Sequence, residues 1–221
     1  MPFSSDGFEI VNDFIDRSFF QSIKTETDKI KLAGRRGGIR NAEKRFESVQ
    51  ALLAAGILSN HAEIYLGKTP NFVRAILFNK TPQNNWLVTW HQDKTIAVSA
   101  KKEIEGWGPW SLKGGCHHVQ PGIDVLNSMV AFRLHIDEST EESGCLRVIP
   151  ESHKLGIMSQ SEIDNYVQGA APFQCITKTN SALVLRPHIL HASNKASKPT
   201  SRRVLHVEFS SYTLPRGLDW A

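Results

Sequence analysis

The stretch RRVLHVEF, residues 202–209, alternates between two kinds of side chain. Its even-numbered positions are mostly polar, and its odd-numbered positions are mostly apolar. Because successive side chains of a β-strand point to opposite faces of a sheet, this period of two predicts a strand with one polar and one apolar face. The segment FRLHID, residues 132–137, alternates in the same way. The polar faces of two such strands are suited to line a cavity.

Around this stretch, the chain from residue 86 onward consists of short apolar or alternating runs separated by turn residues. The runs are Trp86–Trp90, Ile96–Ser99, Ser128–Ile136, Cys145–Ile149, Ala182–Leu185 and Val204–Phe209. Short strands at this spacing are typical of an all-β sandwich or barrel. One helical excursion is expected within this part, over residues 152–168.

The first third of the chain is predicted to be helical. Apolar and acidic residues are spaced as in a helix over 8–15, and the pattern continues over 17–31. A second helix is expected over 42–55, where Gly56 would end it. A strand over 73–78 then begins the β-rich part.

We expect a single domain over residues 1–221, with a helical part over about 1–70 and a β core over about 71–212. The basic, glycine-rich segment 34–40 is interpreted as a loop between the helices.

Composition excludes several classes of protein. The net charge of +4 is small and scattered along the 221 residues, so nucleic-acid binding is not expected. No run of about 18 apolar residues and no signal peptide is present, so we expect neither a membrane span nor secretion. The three cysteines are widely spaced and form no CxxC motif, which is typical of reduced thiols in a cytoplasmic protein. The sequence makes no prediction of the oligomeric state.

Two separated motifs carry residues that bind metal ions. In WHQDKT, residues 90–95, His91 and Asp93 are two positions apart and would point to the same side of a strand. In RPHILHAS, residues 186–193, either His188 or His191 could supply a third ligand. Two histidines and one carboxylate form the facial set of non-haem Fe(II) oxygenases, which leaves three coordination positions open.

An arginine follows the second motif. Arg202 lies eleven residues after His191, and a turn through 195–200 would return the chain so that the two residues meet. A guanidinium near the iron can clamp the distal carboxylate of 2-oxoglutarate through two parallel charge-assisted hydrogen bonds.

Taken together, WHQDKT, SGCLRVIPESHK (residues 143–154) and RPHILHASNKASKPTSRRVLHVEF (residues 186–209) resemble the phytanoyl-CoA dioxygenase family of Fe(II)/2-oxoglutarate oxygenases. The resemblance spans roughly residues 71–210. It implies a mainly β fold with flanking α-helices, built on a cupin-like, double-stranded β-helix (jelly-roll) core. It also implies His91, Asp93 and His191 as the metal ligands.

The same resemblance implies how the co-substrate is bound. Arg202 would hold 2-oxoglutarate with help from Ser193, and Arg133 would line the pocket. Arg203 is the alternative to Arg202, because one loop insertion would shift the register and strand parity turns only one of them inward.

The implied activity consumes Fe(II)-bound 2-oxoglutarate and O2, releases succinate and CO2, and hydroxylates a C–H bond of a small metabolite. Related halogenases replace the carboxylate ligand with a small residue, so Asp93 favours oxidation over halogenation. We expect an amino-acid-like or carboxylate-bearing substrate, with contacts from Arg40, His118 and Trp107.

Two other functions compete with this interpretation. A cupin-like metal-dependent hydrolase or isomerase would use metal-bound water and need neither O2 nor Arg202. A non-catalytic binding protein on the same fold would be expected to have lost a ligand. Lys80, before Thr81-Pro82, is interpreted as a solvated charge at a strand end.

Overall fold

The computed structural model describes residues 2–30 and 38–221. The helices are α1 (Phe3–Asp6), α2 (Arg17–Asp28), α3 (Glu47–Ala54), α4 (Ile57–Leu66), α5 (Ile123–Asn127) and α6 (Gln160–Tyr166). Short 3-10 helices cover Ala42–Lys44 and Ser152–Leu155. The strands are β1 (Phe8–Val11), β2 (Gly38–Arg40), β3 (Asn71–Lys80), β4 (Val88–His91), β5 (Ile96–Val98), β6 (Trp110–Lys113), β7 (Cys116–Val119), β8 (Met129–His135), β9 (Leu146–Val148), β10 (Phe173–Cys175), β11 (Ala182–Leu185), β12 (His191–Ser193) and β13 (Arg202–Ser210).

The strands form three antiparallel sheets. The largest has the order β1-β11-β8-β13-β3-β2, the second has the order β10-β9-β12-β4, and the third has the order β5-β7-β6. A buried cluster joins the first two sheets face to face: Phe8, Ala131 and Leu183 pack with Leu146 and Val148. The expected fold is confirmed as a mainly β, cupin-like jelly-roll core with flanking helices.

The alternation of β13 decides which of its side chains reach the core between helices and sheet. Leu205, Val207 and Phe209 face the helices, where each is at most 3% exposed. Ile23 of α2 and Leu52 of α3 pack onto this face with no exposed surface. Burying a side chain of this size contributes about 1.5–3 kcal/mol, so the helices cover the outer face of the largest sheet. The even-numbered side chains of β13 turn to the interior between the sheets.

A second core lies under the three-stranded sheet. Ile96, Val98 and Val119 pack with Leu126 and Met129, and all five have no exposed surface. This cluster joins the third sheet to the end of the largest sheet.

The prediction of a helix over 8–15 was wrong. Phe8–Val11 is strand β1, which pairs with β11 in register Phe8↔Leu185 at the edge of the largest sheet. Gly7, at φ +82°, ends α1 and turns the chain into this strand. A long-range strand pairing has therefore overridden the local pattern. The N-terminal part contributes two strands, β1 and β2, and is not purely helical.

Most other predicted elements are confirmed. β11 has the predicted bounds, β4, β5, β8, β9 and β13 lie on predicted runs, and α2 and α3 lie on the predicted helices. Part of the predicted loop 34–40 lies outside the described residues, and its last three residues form β2. No helix in the described ranges is both long and apolar enough to cross a membrane.

Candidate metal centre

Neighbouring strands bring the two motifs together. β12 pairs with β4 in register His191↔His91, so the two imidazoles stand side by side with ring centroids 4.2 Å apart. Asp93 follows the end of β4, and its Oδ1 and Oδ2 lie 3.7 Å from His91 Nε2 and 3.5 Å from His191 Nε2. One ligand atom from each of the three residues lies within 4.8 Å of the other two. We call these residues the His–Asp–His cluster.

Backbone carbonyls orient both imidazoles. The Nδ1 atoms of His91 and His191 lie 2.8 Å from the carbonyl oxygens of Thr89 and Ile189. A carbonyl can only accept, so each Nδ1 carries the proton and donates it. Each Nε2 is thereby left as a lone pair directed at the cluster, the form that binds a metal ion.

The charge states also suit a metal ion. Burial and the neighbouring charge of His191 lower the pKa of His91, so its imidazole is neutral at pH 7. Burial alone would raise the pKa of Asp93, but the neighbouring imidazoles of His191 and His91 hold it well below its usual range. The cluster therefore offers the neutral imidazole of His91 and the ionised carboxylate of Asp93.

Gln92, between the two ligands, points the other way and is 5% exposed. Its Nε2 donates to the carbonyl oxygens of Gly156 at 2.8 Å and His188 at 2.9 Å, and its Oε1 accepts from Met158 N at 2.9 Å. The backbone N–H of Asp93 donates to Pro187 O at 3.0 Å. These bonds fix the segment that carries the carboxylate ligand.

The choice between His188 and His191 follows from the same geometry. His188 is fully buried, and within the described residues neither ring nitrogen has a hydrogen-bond partner. It lies outside the group of three potential ligands, whereas His191 is inside it.

A cavity of about 110 Å³, the inner cavity, opens onto the cluster. Its lining includes the cluster and Phe78, Lys80, Trp86, Arg133, Ser193 and Arg202. Lys80, Arg133 and Arg202 are 2%, 8% and 5% exposed, and Asp93 is the only carboxylate that the described residues place on this lining. Burial and the charge of Arg133 lower the pKa of Arg202 to about 10. Among the described residues, neither Arg133 Nε nor Arg202 Nε has a hydrogen-bond partner.

Strand parity separates the two adjacent arginines. Arg202 faces the inner cavity, where its Nη1 lies 3.4 Å from Ser139 Oγ. Arg203 faces α2 and binds Asp137 through two hydrogen bonds, of 2.8 Å and 2.7 Å. Its Nη1 also donates to Thr27 Oγ1 at 3.1 Å. Of these two adjacent arginines, Arg202 is therefore the one available to a ligand in the inner cavity.

Lys80 is a buried cation that the sequence reading missed. The expectation of a solvated charge was wrong, because its Nζ donates to Ser193 Oγ at 3.1 Å and to Asn194 O at 2.8 Å. Burial, with the charges of Arg202 and Arg133, lowers the pKa of Lys80 to about 7. The only sequence signal for an inward side chain is parity. Lys80 and Phe78 are both at even-numbered positions of β3, so their side chains point to the same face of the sheet.

A second cavity, of about 240 Å³, meets the cluster from another side, and we call it the outer cavity. It shares three lining residues with the inner cavity: Phe78, His91 and Asp93. Its other polar lining residues are Arg40, Arg74, Thr95, Lys113, His118, His206 and Glu208.

The three residues predicted to contact substrate have different outcomes. Arg40, in β2, and His118, in β7, both line the outer cavity. Trp107 does not line either cavity and instead packs against the core under the three-stranded sheet. This packing gives no support to a substrate contact by Trp107, which stays a prediction.

Comparison with known proteins agrees with this architecture. The profile of the phytanoyl-CoA dioxygenase (PhyH) family matches residues 3–204. No curated protein sequence is similar enough to count as a match.

Three solved structures illustrate the shared fold. AviO1 from Streptomyces viridochromogenes Tue57 superposes with a TM-score of 0.70 at 16% identity, covering 96% of this chain and 93% of AviO1. SnoK, a non-heme alpha ketoglutarate dependent carbocyclase from nogalamycin biosynthesis, superposes with a TM-score of 0.68 at 12% identity, covering 94% of this chain and 81% of SnoK. HygX from Streptomyces hygroscopicus, solved with nickel and 2-oxoglutarate bound, superposes with a TM-score of 0.65 at 10% identity, covering 94% of this chain and 83% of HygX.

At these identities the structural likeness establishes the fold alone. The family match is the stronger finding, because it extends over most of the chain and includes both ligand motifs. The chain belongs to the phytanoyl-CoA dioxygenase (PhyH) family of Fe(II)- and 2-oxoglutarate-dependent oxygenases.

Proposed function

We propose that this protein is a dioxygenase that hydroxylates a C–H bond of a small metabolite and releases succinate and CO2 from 2-oxoglutarate. The observation that carries the proposal is the His–Asp–His cluster beside a buried, cation-lined cavity. We also propose that residues 1–221 act as one domain, since strands from both ends of the chain share the largest sheet.

The residues present fit Fe(II). Two imidazoles and one carboxylate are the donor set of the facial triad, and both imidazoles have their Nε2 lone pairs free. In this proposal His91, Asp93 and His191 hold the metal. When bound, Fe(II) supplies the activation of O2 that is coupled to decarboxylation of 2-oxoglutarate.

The inner cavity fits the co-substrate. Arg202, Arg133 and Lys80 put three basic side chains around about 110 Å³, and among the described residues Asp93, at the metal end, is the only carboxylate on the lining. Two buried guanidinium nitrogens also lack partners within the described residues, and burying such groups unpaired is costly. A dianion such as 2-oxoglutarate would compensate the positive charge and accept hydrogen bonds from the unpaired nitrogens. In this proposal Arg202 and Ser193 bind its distal carboxylate, and Arg133 lies beside it.

The remaining residues serve orientation and exclusion of water. Gln92 holds the carboxylate ligand in place, and Phe78 separates the two cavities with an apolar wall. The outer cavity would present the substrate to the metal from a side that 2-oxoglutarate does not occupy. Hydroxylation is the outcome we propose, because Asp93 fills the coordination position that a halide would need.

The first test is binding of the metal and co-substrate. Anaerobic addition of Fe(II) and then 2-oxoglutarate should produce a weak visible charge-transfer band, and O2 should then release succinate. His91→Ala should abolish both signals, because it removes one of three ligands. Iron-loaded protein that does not bind 2-oxoglutarate would refute the proposal, and substrate turnover without O2 would favour the hydrolase or isomerase.

The adjacent arginines supply a matched pair for the second test. Arg202→Met should weaken 2-oxoglutarate binding about 100-fold, since loss of a buried charge pair costs about 2.7 kcal/mol or more. Arg203→Met should leave this affinity unchanged but lower the free energy of unfolding by about 2 kcal/mol, because it breaks the bonds to Asp137. Titration of the visible band and urea unfolding measure the two effects. Equal loss of affinity in both variants would contradict the assignment.

A further inference from the structure

We infer that the substrate carries an oxyanion, a carboxylate or phosphate group, and that Arg40, Arg74 and Lys113 bind this group in the outer cavity. This inference rests on the proposed function, because it assigns the outer cavity to the substrate. It adds the chemical class of the substrate and the three side chains that select it.

The charges on the outer cavity are unequal. Arg40, Arg74 and Lys113 are cationic, and the lining carries two carboxylates, of which Asp93 belongs to the metal site. Among the described residues on this lining, Glu208 is then the only counter-charge for three cations. His118 adds no negative charge, and burial together with the charge of Arg74 lowers its pKa to about 4, so it is neutral at pH 7. Two positive charges are therefore left for a ligand to compensate.

Arg74 is the fixed member of this group. Its Nη2 donates to Glu208 Oε1 at 2.7 Å, and its Nη1 lies 3.3 Å from His118 Nδ1. Glu208 is fully buried and its Oε1 is also 2.7 Å from His206 Nε2, so one carboxylate oxygen serves two donors. Arg74 Nε is buried and has no hydrogen-bond partner among the described residues. The guanidinium is thus held in place by its ion pair with Glu208, and its Nε is left to bind a ligand.

Arg40 and Lys113 have a different role. Both are exposed and come from β2 and β6, two strands of different sheets, yet both line the same cavity as Arg74. Long flexible cations of this kind can close around an anion from the solvent side. The three cations therefore line the same cavity from three strands.

The spacing along β3 sets the span between the anion site at Arg74 and the metal. Arg74, Phe78 and Lys80 are at even-numbered positions, with Phe78 shared by the two cavities. At about 3.3 Å per residue, the Cα atoms of Arg74 and Phe78 are ~13 Å apart. A substrate anchored at Arg74 has to bridge a span no longer than this to reach the metal beside Phe78, and a small molecule can do so.

A competing interpretation of the same residues is a second metal site. Asp93, His206 and Glu208 do offer ligand atoms within 4.8 Å of one another. The guanidinium of Arg74, 2.7 Å from Glu208, already supplies the positive charge there and would repel a cation. The geometry favours anion binding beside Arg74 over cation binding beside Glu208.

The experiment compares anionic probes with neutral counterparts that have the same hydrocarbon part. Protein loaded anaerobically with Fe(II) and saturating 2-oxoglutarate is titrated with phenylacetate and phenylacetamide, hexanoate and hexanamide, and hexyl phosphate and hexanol. Calorimetry gives the dissociation constants, and the two anion types separate a carboxylate from a phosphate site. The anion of at least one pair should bind at least tenfold more tightly.

Variants then assign the preference to the three cations. Arg74→Gln should remove it, and Arg40→Gln and Lys113→Gln, which change exposed side chains, should each reduce it three- to tenfold. Arg17→Gln, an exposed arginine on α2, is the control and should change nothing. No preference in any pair, or a preference that survives all three variants, overturns the inference. The visible band of the loaded protein reports separately on the proposed function, which can hold when this inference fails.

Discussion

At the wall of the inner cavity, Lys80 holds a charge that its surroundings disfavour. It is 2% exposed and lies near two buried arginines, and its Nζ is 5.3 Å from the ring centroid of Trp86. Its hydrogen bonds go to neutral oxygens of Ser193 and Asn194, so no anion of the described protein compensates it. A bound dianion would supply that compensation. Lys80 should therefore contribute to co-substrate affinity only in its protonated form.

This arrangement predicts a pH dependence of 2-oxoglutarate binding. In the free protein the pKa of Lys80 is lowered to about 7, so the lysine is protonated below pH 7 and increasingly neutral above it. Binding above pH 7 then requires proton uptake, and the affinity should fall by up to tenfold per pH unit. Titrations of the visible band from pH 6 to 9 measure this slope. Lys80→Arg should flatten it, because an arginine stays charged, and an unchanged slope in that variant would contradict the prediction.

The pairing of β3 with β13 explains why the orientation of Arg202 and Lys80 could be predicted only in part. Alternation along 202–209 predicts that just one of Arg202 and Arg203 faces inward, but not which one. The choice depends on the register Arg202↔Lys80, which joins positions far apart in the chain. The same register turns Lys80 into the cavity. Sequence periodicity defines two faces, and only the pairing decides which face is interior.

At the scale of elements, one side chain holds the segment between β4 and β5 in position. Gln92 satisfies the carbonyl oxygens of Gly156 and His188 and the N–H of Met158, three backbone groups from two other segments. Without it these groups would be buried and unpaired. The position of Asp93 thus depends on a residue that cannot itself reach the metal.

Gln92→Leu tests this dependence. Leaving three backbone groups unpaired should lower the free energy of unfolding by about 3 kcal/mol, at about 1 kcal/mol for each group. For a chain of this size that corresponds to a decrease in Tm of roughly 10 °C. Fe(II) affinity should fall more than tenfold, because Asp93 is no longer held. Gln50→Leu, at an exposed position of α3, is the control, and wild-type Fe(II) affinity in Gln92→Leu would rule out the positioning role.

Elements with a clear period were predictable, and short ones were not. β8 and β13 have seven and nine residues, long enough for alternation to be recognised. β10 and β12 have three residues each, and β7 has four. Three residues are too few to define a period, so pairing with neighbours decides their structure.

At the scale of the whole molecule, the N-terminal strand completes the sandwich. β1 forms the edge of the largest sheet, and Phe8 enters the core shared by the two facing sheets. Its ring centroid lies 5.3 Å from that of Phe173, a residue of β10, the strand that pairs with β9 in the facing sheet. The local sequence predicted a helix here because the strand's partner, β11, lies about 170 residues further along the chain.

The last prediction concerns the stability of this assembly. Phe8 is 1% exposed, and replacing a buried phenylalanine with alanine costs about 3–5 kcal/mol. Total stabilities are only about 5–15 kcal/mol, so Phe8→Ala should remove a large share of it. Ile64→Ala, at a side chain 78% exposed on α4, is the matched control and should change stability by less than about 0.5 kcal/mol. Urea unfolding measures both values. A loss below about 1 kcal/mol in Phe8→Ala would mean that β1 packs onto a core already complete without it.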